Sequence, residues 1–324
     1  MIRGASILLW YLIMSGIAYS QPAASSWPTR PVSLVVSNVA GSAGDFFARV
    51  LARDLTGRLG QPIIIENHGG AGGVIGTRQV AKAAPDGYKL SYGSPTSYVA
   101  APYVFTNLAY DPTKDLVPIS MVGRAPYALV AYPGLGIRNV LDLVALAKSK
   151  PGTLNLSSNG EGSVSHLGMV IFAEKMGLKL HHVPYKSTAQ SITDVVTGLI
   201  HLQLASISPI ISLYQSKKIQ VLGIAGKHRI PLMKDVPTMA EAGVADFEHN
   251  FWMAIFGPAG IQPDIIARLN REVGAALQTD GVKKAFVELG VEPEHSTPEE
   301  LGEILRRDIA AYRDIATKVG IPRR

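Results

Sequence analysis

Apolar and polar residues alternate along the chain in short blocks that predict strands and helices in turn. Runs of apolar residues predict buried strands at residues 31–36, 62–66 and 89–92. A helix is predicted from about Asp45, because apolar side chains recur there at the helical period; they are Phe46, Phe47, Val50, Leu51 and Leu55. This alternation is typical of α/β layers with mostly parallel sheet.

The pattern restarts after about residue 125. Strands are predicted at residues 128–132, 154–157, 181–185, 202–206, 219–224 and 251–256. Helices are predicted at 263–278, 281–289 and 298–319, the last with Ser296 and Thr297 as N-cap candidates before Pro298. Two α/β units and a helical tail predict two lobes with a cleft between them. Chain crossings near 125 and 250 divide the chain into a first lobe, 27–125 plus 251–324, and a second lobe, 126–250.

The first twenty residues have the pattern of a secretory signal peptide. Arg3 precedes an apolar run at residues 7–14, and the small residues Ala18 and Ser20 occupy positions −3 and −1 of a predicted cleavage site. A membrane anchor is the alternative, but a span needs about 20 apolar residues and this run is shorter. We therefore expect residues 1–20 to be removed on export to the periplasm, which leaves a soluble mature chain.

Composition narrows the class of protein. Of 324 residues, 47% are hydrophobic and 17% charged, so the chain can bury cores. It has no Cys, which excludes disulfides, Cys-ligated metals, a thiol nucleophile and a lipidated N-terminal Cys. The net charge is +6, but the basic residues are scattered and aromatic residues make up only 7%, so no nucleic-acid partner is predicted.

No strong enzymatic or metal-binding motif is present. The sequence lacks G-x-S-x-G, G-x-G-x-x-G, the P-loop and H-E-x-x-H. His181 and His182 are adjacent, and neighbours on a strand point to opposite faces, which makes a poor chelate. Neither a metal nor a cofactor is predicted.

Three loops of small residues each follow a predicted strand and open a helix. They comprise residues 39–45, 93–97 and 158–163. A helix N-terminus has unpaired N–H groups and a partial positive charge, and glycines let an anion approach closely. Each loop alone could be an ordinary turn in which Asp45 or Ser163 caps a helix. Three such loops, divided between two lobes, favour a ligand site in one crevice.

Ten segments form a distinctive set in their order and spacing: residues 27–31, 40–45, 59–62, 66–67, 69–76, 84–88, 158–167, 182–186, 235–243 and 257–260. They extend over essentially the whole mature chain and resemble the Bug family of periplasmic receptors for tripartite tricarboxylate transporters. It implies a two-lobed type II periplasmic-binding-protein fold. It also implies a small organic carboxylate, held by loop amides of both lobes and presented to membrane permease subunits.

The ligand residues that the resemblance implies lie in both lobes. They are Ala40, Gly41, Ser42, Ala43, Gly44, Asp45, Ser94 and Thr96 in the first lobe, and Ser158, Asn159, Gly160, Gly162, Ser163 and Ser206 in the second. For His166 we expect core packing or a hydrogen bond to its own loop. The glycine-rich segment 68–76 is expected to be a packing turn between the lobes.

This chain departs from the family pattern at several of these positions. The family usually has Gly at 42 and Thr or Ser at 44, whereas this chain has Ser42 and Gly44. After the strand ending at Leu204 the family often carries Asp, and here Ala205 and Ser206 follow. Glu161 places an acid in a loop expected to hold an anion, which makes binding of a dicarboxylate less favourable.

The sequence thus favours a monomeric, non-enzymatic periplasmic receptor that closes on its ligand by a hinge motion. Two alternatives stay open. One is a ligand sensor that docks on a two-component kinase, and the other is a periplasmic enzyme on the same scaffold. An enzyme needs a nucleophile next to a base, and the predicted loops offer Ser without a convincing partner.

Overall fold

The computed structural model describes residues 27–185, 188–320 and 323; the predicted signal peptide lies outside this range, as do Lys186 and Ser187. The strands are β1 (Val32–Val36), β2 (Ile63–Asn67), β3 (Lys89–Gly93), β4 (Leu116–Ala131), β5 (Asn155–Ser158), β6 (His181–Pro184), β7 (Leu202–Ser206), β8 (Gln220–Ile224), β9 (Asn250–Pro258) and β10 (Glu292–Pro293). The helices are α1 (Ala43–Leu59), α2 (Val74–Ala81), α3 (Ala101–Val104), α4 (Val140–Ser149), α5 (Val164–Met176), α6 (Thr188–Thr197), α7 (Ile211–Gln215), α8 (Pro263–Leu277), α9 (Asp280–Val287) and α10 (Pro298–Val319).

The strands form one continuous mixed sheet in the order β2-β1-β3-β9-β4-β7-β5-β6, with β8 and β10 also paired to β4. The pairs β1–β2, β1–β3, β5–β6 and β5–β7 are parallel. Every pair that contains β4 or β9 is antiparallel. The α/β class is confirmed, but the sheet is mixed rather than mostly parallel, because two long antiparallel strands connect its parallel ends.

The long strand β4 connects two separate cores. Its first half pairs with β9, up to Pro126 opposite Asn250, and its second half pairs with β7 and β8 from Tyr127 onward. The core beside the first half of β4 is built from buried side chains of residues 27–125 and 251 onward, with Leu167 as the one exception. The core beside the second half is built from residues 127–247. We therefore propose that the lobes meet at residues 125/126 and 250/251, as the sequence predicts.

The predicted elements differ from the structure in two informative places. The first half of β4 was not predicted, because Pro118 and Gly123 interrupt its apolar pattern. Both residues lie where the pairing of β4 with β9 shifts register. Phe46, assigned to the buried stripe of α1, is instead 44% exposed, since α1 already begins at Ala43 and buries Phe47.

Helix α10 is capped as predicted. Thr297 and Glu300 form a reciprocal capping box, with Pro298 at the first helical position. In the part of the chain that the structure describes, no helix has the length and apolar character needed to cross a membrane.

Candidate functional site

The first loop, residues 39–44, connects β1 to the N-terminus of α1. Its residues are largely exposed, and Val39 is 66% exposed. Ser42 caps α1 by accepting a hydrogen bond from the Asp45 N–H at 3.3 Å. Gly41 has φ +78°, a left-handed conformation that glycine adopts without strain, so the chain can turn sharply into the helix.

Asp45 is a buried support of this loop. Its carboxylate accepts hydrogen bonds from Gly41 N at 2.9 Å, Arg49 Nε at 3.0 Å and Asn67 Nδ2 at 2.9 Å. Burial alone raises the pKa of Asp45, but the hydrogen bonds from Arg49, Gly41 and Asn67 outweigh it and hold the pKa below its ordinary value. Because these donors occupy the carboxylate, we assign Asp45 to holding the loop rather than to touching a ligand.

The first turn of α1 leaves two N–H groups available. The N–H groups of Ala43 and Gly44 have no acceptor among the described residues. They lie at the N-terminus of a 17-residue helix, where the helix dipole favours an anion. A Cβ on Gly44 would lie 2.6 Å from Oδ1 of Asn38, so a larger residue there would require the Asn38 side chain to move. The side chain of Asn38 therefore fills the space that the family's hydroxyl residue would need.

Ser94 and Thr96 follow the end of β3, which pairs with β1, the strand that leads into the first loop. Residues 96–100 form one π-helical turn, a wide turn that often marks functional positions. The hydroxyl of Ser97 donates to the Ser94 carbonyl at 3.2 Å. By contrast, the hydroxyls of Ser94 and Thr96 are half-buried and have no hydrogen-bond partner in the described ranges.

The glycine-rich segment 68–73 packs within the first lobe, not between the lobes as expected. A Cβ on Gly72 would lie 2.9 Å from Cγ2 of Thr96, and one on Gly73 would lie 2.9 Å from Cβ of Ser37. These close approaches explain why glycines are needed there. The segment thus supports the wall that carries Thr96.

The second loop, residues 158–163, connects β5 to α5 and is closed by its own hydrogen bonds. The N–H groups of four of its residues already donate within the second lobe, to acceptors between 3.1 and 3.2 Å away; they are Asn159, Gly160, Gly162 and Ser163. Only the N–H of Glu161 has no acceptor in the described chain. The N–H groups of Gly160, Gly162 and Ser163 are therefore not available to an anion in this conformation, contrary to what the resemblance implies for the loop amides.

A stacked pair of histidines braces the second loop. Nε2 of His182 lies 2.7 Å from Oγ of Ser158, and Nδ1 of His166 accepts from Gly162 N–H at 3.1 Å. The two rings stack with centroids 3.8 Å apart at 11°. Burial lowers the pKa of His166, and burial together with the neighbouring His166 lowers the pKa of His182 to about 4, so both are neutral at pH 7. The expected bond of His166 to its own loop is confirmed, whereas His182 was not predicted.

The Ser158–His182 contact is not an accessible nucleophile–base pair. Ser158 is fully buried, and its hydroxyl also lies 3.0 Å from the Gly160 carbonyl oxygen and 3.2 Å from the Gly160 nitrogen. A substrate carbonyl would have to displace this network to reach Oγ. The pair therefore fixes the loop.

The remaining predicted residues lie at neighbouring strand ends. Ser206 ends β7, next to β5, and its half-buried hydroxyl has no partner within the described part of the chain. Asn159 is exposed, and its Oδ1 accepts from the Thr188 hydroxyl at 3.1 Å. No hydrogen bond between described residues joins the first loop to the second.

A cavity of about 1020 Å³ lies between the lobes, but it reaches the candidate loops only at their edges. Its walls include Pro95 and Val164, each adjacent in sequence to candidate residues. The other lining residues come from α5, α10, β4, segment 226–232, residues 248–252 and residues 287–294, together with Val99. The candidate ligand residues are thus grouped by strand ends within each lobe rather than enclosed in this cavity.

Comparisons with known proteins agree with this architecture. The sequence model of the family described as "Tripartite tricarboxylate transporter family receptor" matches residues 47–321. Protein BugT of Bordetella pertussis is 33% identical over 321 residues, covering 99% of this chain and 98% of BugT.

Solved structures show the same similarity. Rpa4515 of R. palustris with adipate has a TM-score of 0.82 and 31% identity, over 92% of this chain and 100% of that one. MatC (Rpa3494) of Rhodopseudomonas palustris with bound malate has a TM-score of 0.77 and 30% identity, over 89% of this chain and 99% of MatC. The periplasmic binding protein BugD has a TM-score of 0.78 and 29% identity, over 92% and 100%.

Proposed function

Because the chain belongs to the tripartite tricarboxylate transporter receptor family, we propose that it captures a small organic carboxylate between its lobes in the periplasm. The observation that carries this proposal is the N-terminus of α1. There the N–H groups of Ala43 and Gly44, which have no acceptor among the described residues, lie in a loop that the buried Asp45 holds in place. Such a site suits an anion, because N–H dipoles and the helix dipole both favour negative charge.

The proposed contacts divide between the lobes. In the first lobe, the N–H groups of Ala43 and Gly44 hold the carboxylate, and the hydroxyls of Ser94 and Thr96 hydrogen-bond to the ligand. In the second lobe, the Glu161 N–H and the hydroxyl of Ser206 offer further donors. The remaining candidates shape the two loops around these contacts; they are Ala40, Gly41, Ser42, Ser158, Asn159, Gly160, Gly162 and Ser163.

The ligand class follows from the relatives and from one charge. Rpa4515 and MatC were solved with adipate and malate, which are both dicarboxylates. In this chain the exposed Glu161 adds a negative charge to the second loop. We propose that this charge disfavours a second carboxylate, so that ligands with a single carboxylate bind better here than adipate does.

Transport is the proposed role. The lobes would rotate about the residues at which β4 and β9 pass from one lobe to the other, near Pro126 and Asn250. The closed form would deliver the ligand to the permease subunits of a tripartite tricarboxylate transporter. We further propose export with cleavage after Ser20 and a monomeric state. Terminal sequencing of a periplasmic fraction should then read from Gln21, whereas recovery of an intact N-terminus in the membrane pellet would contradict export.

A thermal-shift screen of mono- and dicarboxylates tests ligand capture. A ligand that binds only the native state stabilises it by about 2.7 kcal/mol at a hundredfold excess over Kd, so a binder should raise Tm. Malate and adipate are included with amino acids and aromatic acids. If no carboxylate raises Tm, the proposed function is wrong.

The charge of Glu161 is tested in the same assay by Glu161→Gln. Removing one nearby negative charge should strengthen adipate binding about two- to fivefold, a modest factor because water and salt screen the exposed group. Glu303→Gln, which removes an exposed charge from α10, is the matched control and should leave adipate affinity unchanged. Equal effects of both variants would contradict a local role for Glu161.

A further inference from the structure

The final helix reaches across to the second loop through one tyrosine. Tyr312, in the C-terminal half of α10, is 5% exposed, and its hydroxyl donates a hydrogen bond to the carbonyl oxygen of Gly162. The two residues are 150 positions apart in the sequence. No ligand residue implied by the family resemblance lies on α10.

Helix α10 packs on the first-lobe core and also contacts the second lobe. In its N-terminal half, Leu301 and Leu305 lie in the first-lobe core, and Asp308 accepts from Trp252 Nε1 at 2.9 Å. In its C-terminal half, Lys318 Nζ lies 2.9 Å from Oε2 of Glu174 on α5 of the second lobe. Tyr312 itself belongs to the first-lobe core cluster, so its hydrogen bond connects that core directly to the second loop.

Gly162 is held from two directions. Its N–H donates to His166 Nδ1 at 3.1 Å within the second lobe, while its carbonyl accepts from Tyr312. Gly162 is buried and has φ +73°, so the two flanking peptide planes turn sharply at this residue. The two Gly162 bonds fix the peptide groups on either side of this residue. The Glu161 N–H, the only loop N–H without an acceptor in the described chain, belongs to the peptide group just before them, whose Gly160 carbonyl accepts from Ser163 N–H at 3.1 Å.

We propose that Tyr312 is a positioning residue: from the first lobe, it sets the conformation of the second loop that faces the ligand. This inference rests on the proposed function for its meaning, but the contact itself does not depend on a ligand. Burial raises the pKa of Tyr312, so its hydroxyl stays protonated and can donate to the Gly162 carbonyl.

The test compares Tyr312→Phe with Tyr103→Phe. Tyr103 stacks on Tyr312 with ring centroids 5.6 Å apart, and its own hydroxyl has no partner among the described residues. Each variant removes one oxygen from the same stacked pair, but only Tyr312→Phe leaves the buried Gly162 carbonyl without its donor. Circular dichroism confirms that both variants are folded before any comparison is made.

Hydrogen–deuterium exchange of the full chain without ligand gives the readout. In Tyr312→Phe, peptides covering residues 158–167 should exchange about fivefold faster than in the wild type, the factor expected for loss of one ordinary hydrogen bond. Peptides from β1 to β3 should be unchanged, and Tyr103→Phe should match the wild type throughout. A general loss of stability would instead speed exchange of the core strands and helices of both lobes.

Three outcomes would overturn the proposal: unchanged exchange at 158–167 in Tyr312→Phe, the same acceleration in Tyr103→Phe, or acceleration spread over both lobes. Failure of the proposed function would look different. In that case no carboxylate would raise Tm in the wild type, while the local effect of Tyr312→Phe on residues 158–167 would persist.

Discussion

Replacing Asp45 with Ala should destabilise the protein far more than replacing Asp54 with Ala, although both lie on α1 and pair with an arginine four residues later. The Asp45 side chain is only 5% exposed and also accepts from Gly41 N and Asn67 Nδ2. Asp54 is 24% exposed, and Arg58 is its only hydrogen-bond partner within the described residues. The two variants therefore compare a buried hydrogen-bond network with a half-buried, isolated ion pair on the same helix.

The magnitude follows from the donors that each change leaves behind. Asp45→Ala removes the acceptor of the Gly41 N–H and of one of the two Asn67 Nδ2 hydrogens, at about 1.5 kcal/mol each. The other Asn67 Nδ2 bond, to the Asn38 carbonyl at 3.2 Å, remains. Arg49 is 52% exposed and can turn to water, so its loss adds little. We expect a loss of about 3 kcal/mol in the free energy of unfolding. Asp54→Ala should cost about 0.5 kcal/mol, the usual value for such a helical pair.

Urea unfolding monitored by circular dichroism measures both differences. The folded-state pKa of Asp45 lies below its unfolded value, so its contribution is present above about pH 4 and is lost as pH falls through the folded pKa. The gap between wild type and Asp45→Ala should accordingly narrow in acid. Losses below 1 kcal/mol for both variants at pH 7 would refute the role given to Asp45.

Three further predictions concern the two loops. Gly160→Val should weaken carboxylate binding in calorimetry more than Ser163→Ala does. Valine cannot adopt φ +112° at Gly160 without strain, whereas Ser163→Ala removes one helix cap, about 1 kcal/mol. Equal affinities of the two variants would place the ligand elsewhere. In Gly44→Ala the added Cβ would lie 2.6 Å from Asn38 Oδ1, so the Asn38 side chain must move. The double mutant with Asn38→Ala should therefore have a higher Tm than the sum of the two single Tm shifts gives, and strict additivity would contradict this contact. The folded pKa of His182, about 4, lies below its unfolded value, so the free energy of unfolding should fall as pH drops from about 6.5 to 4. His182→Gln should reduce this pH dependence in urea titrations. An unchanged pH dependence would show that other groups cause it.

The sequence by itself determined the features that depend on near neighbours. The apolar periods predicted most strands and helices, and the capping box of α10 could be read from Thr297 and Glu300 because a cap joins residues three apart. The left-handed glycines, Gly41 and Gly160, could be anticipated for a similar reason, since φ is a local property. The family resemblance supplied the two-lobed fold, which the comparisons confirm.

Only the tertiary structure decided which groups in the loops are available to a ligand. The sequence showed glycines and hydroxyls in both loops. In the described part of the chain, the second loop uses most of its N–H groups internally, whereas those of Ala43 and Gly44 in the first loop have no acceptor. The partners responsible lie far away in sequence: His182 is 24 residues from Ser158, and Tyr312 is 150 residues from Gly162. Such pairs form because strand order and helix packing bring distant segments together, and no local pattern of side chains encodes that distance.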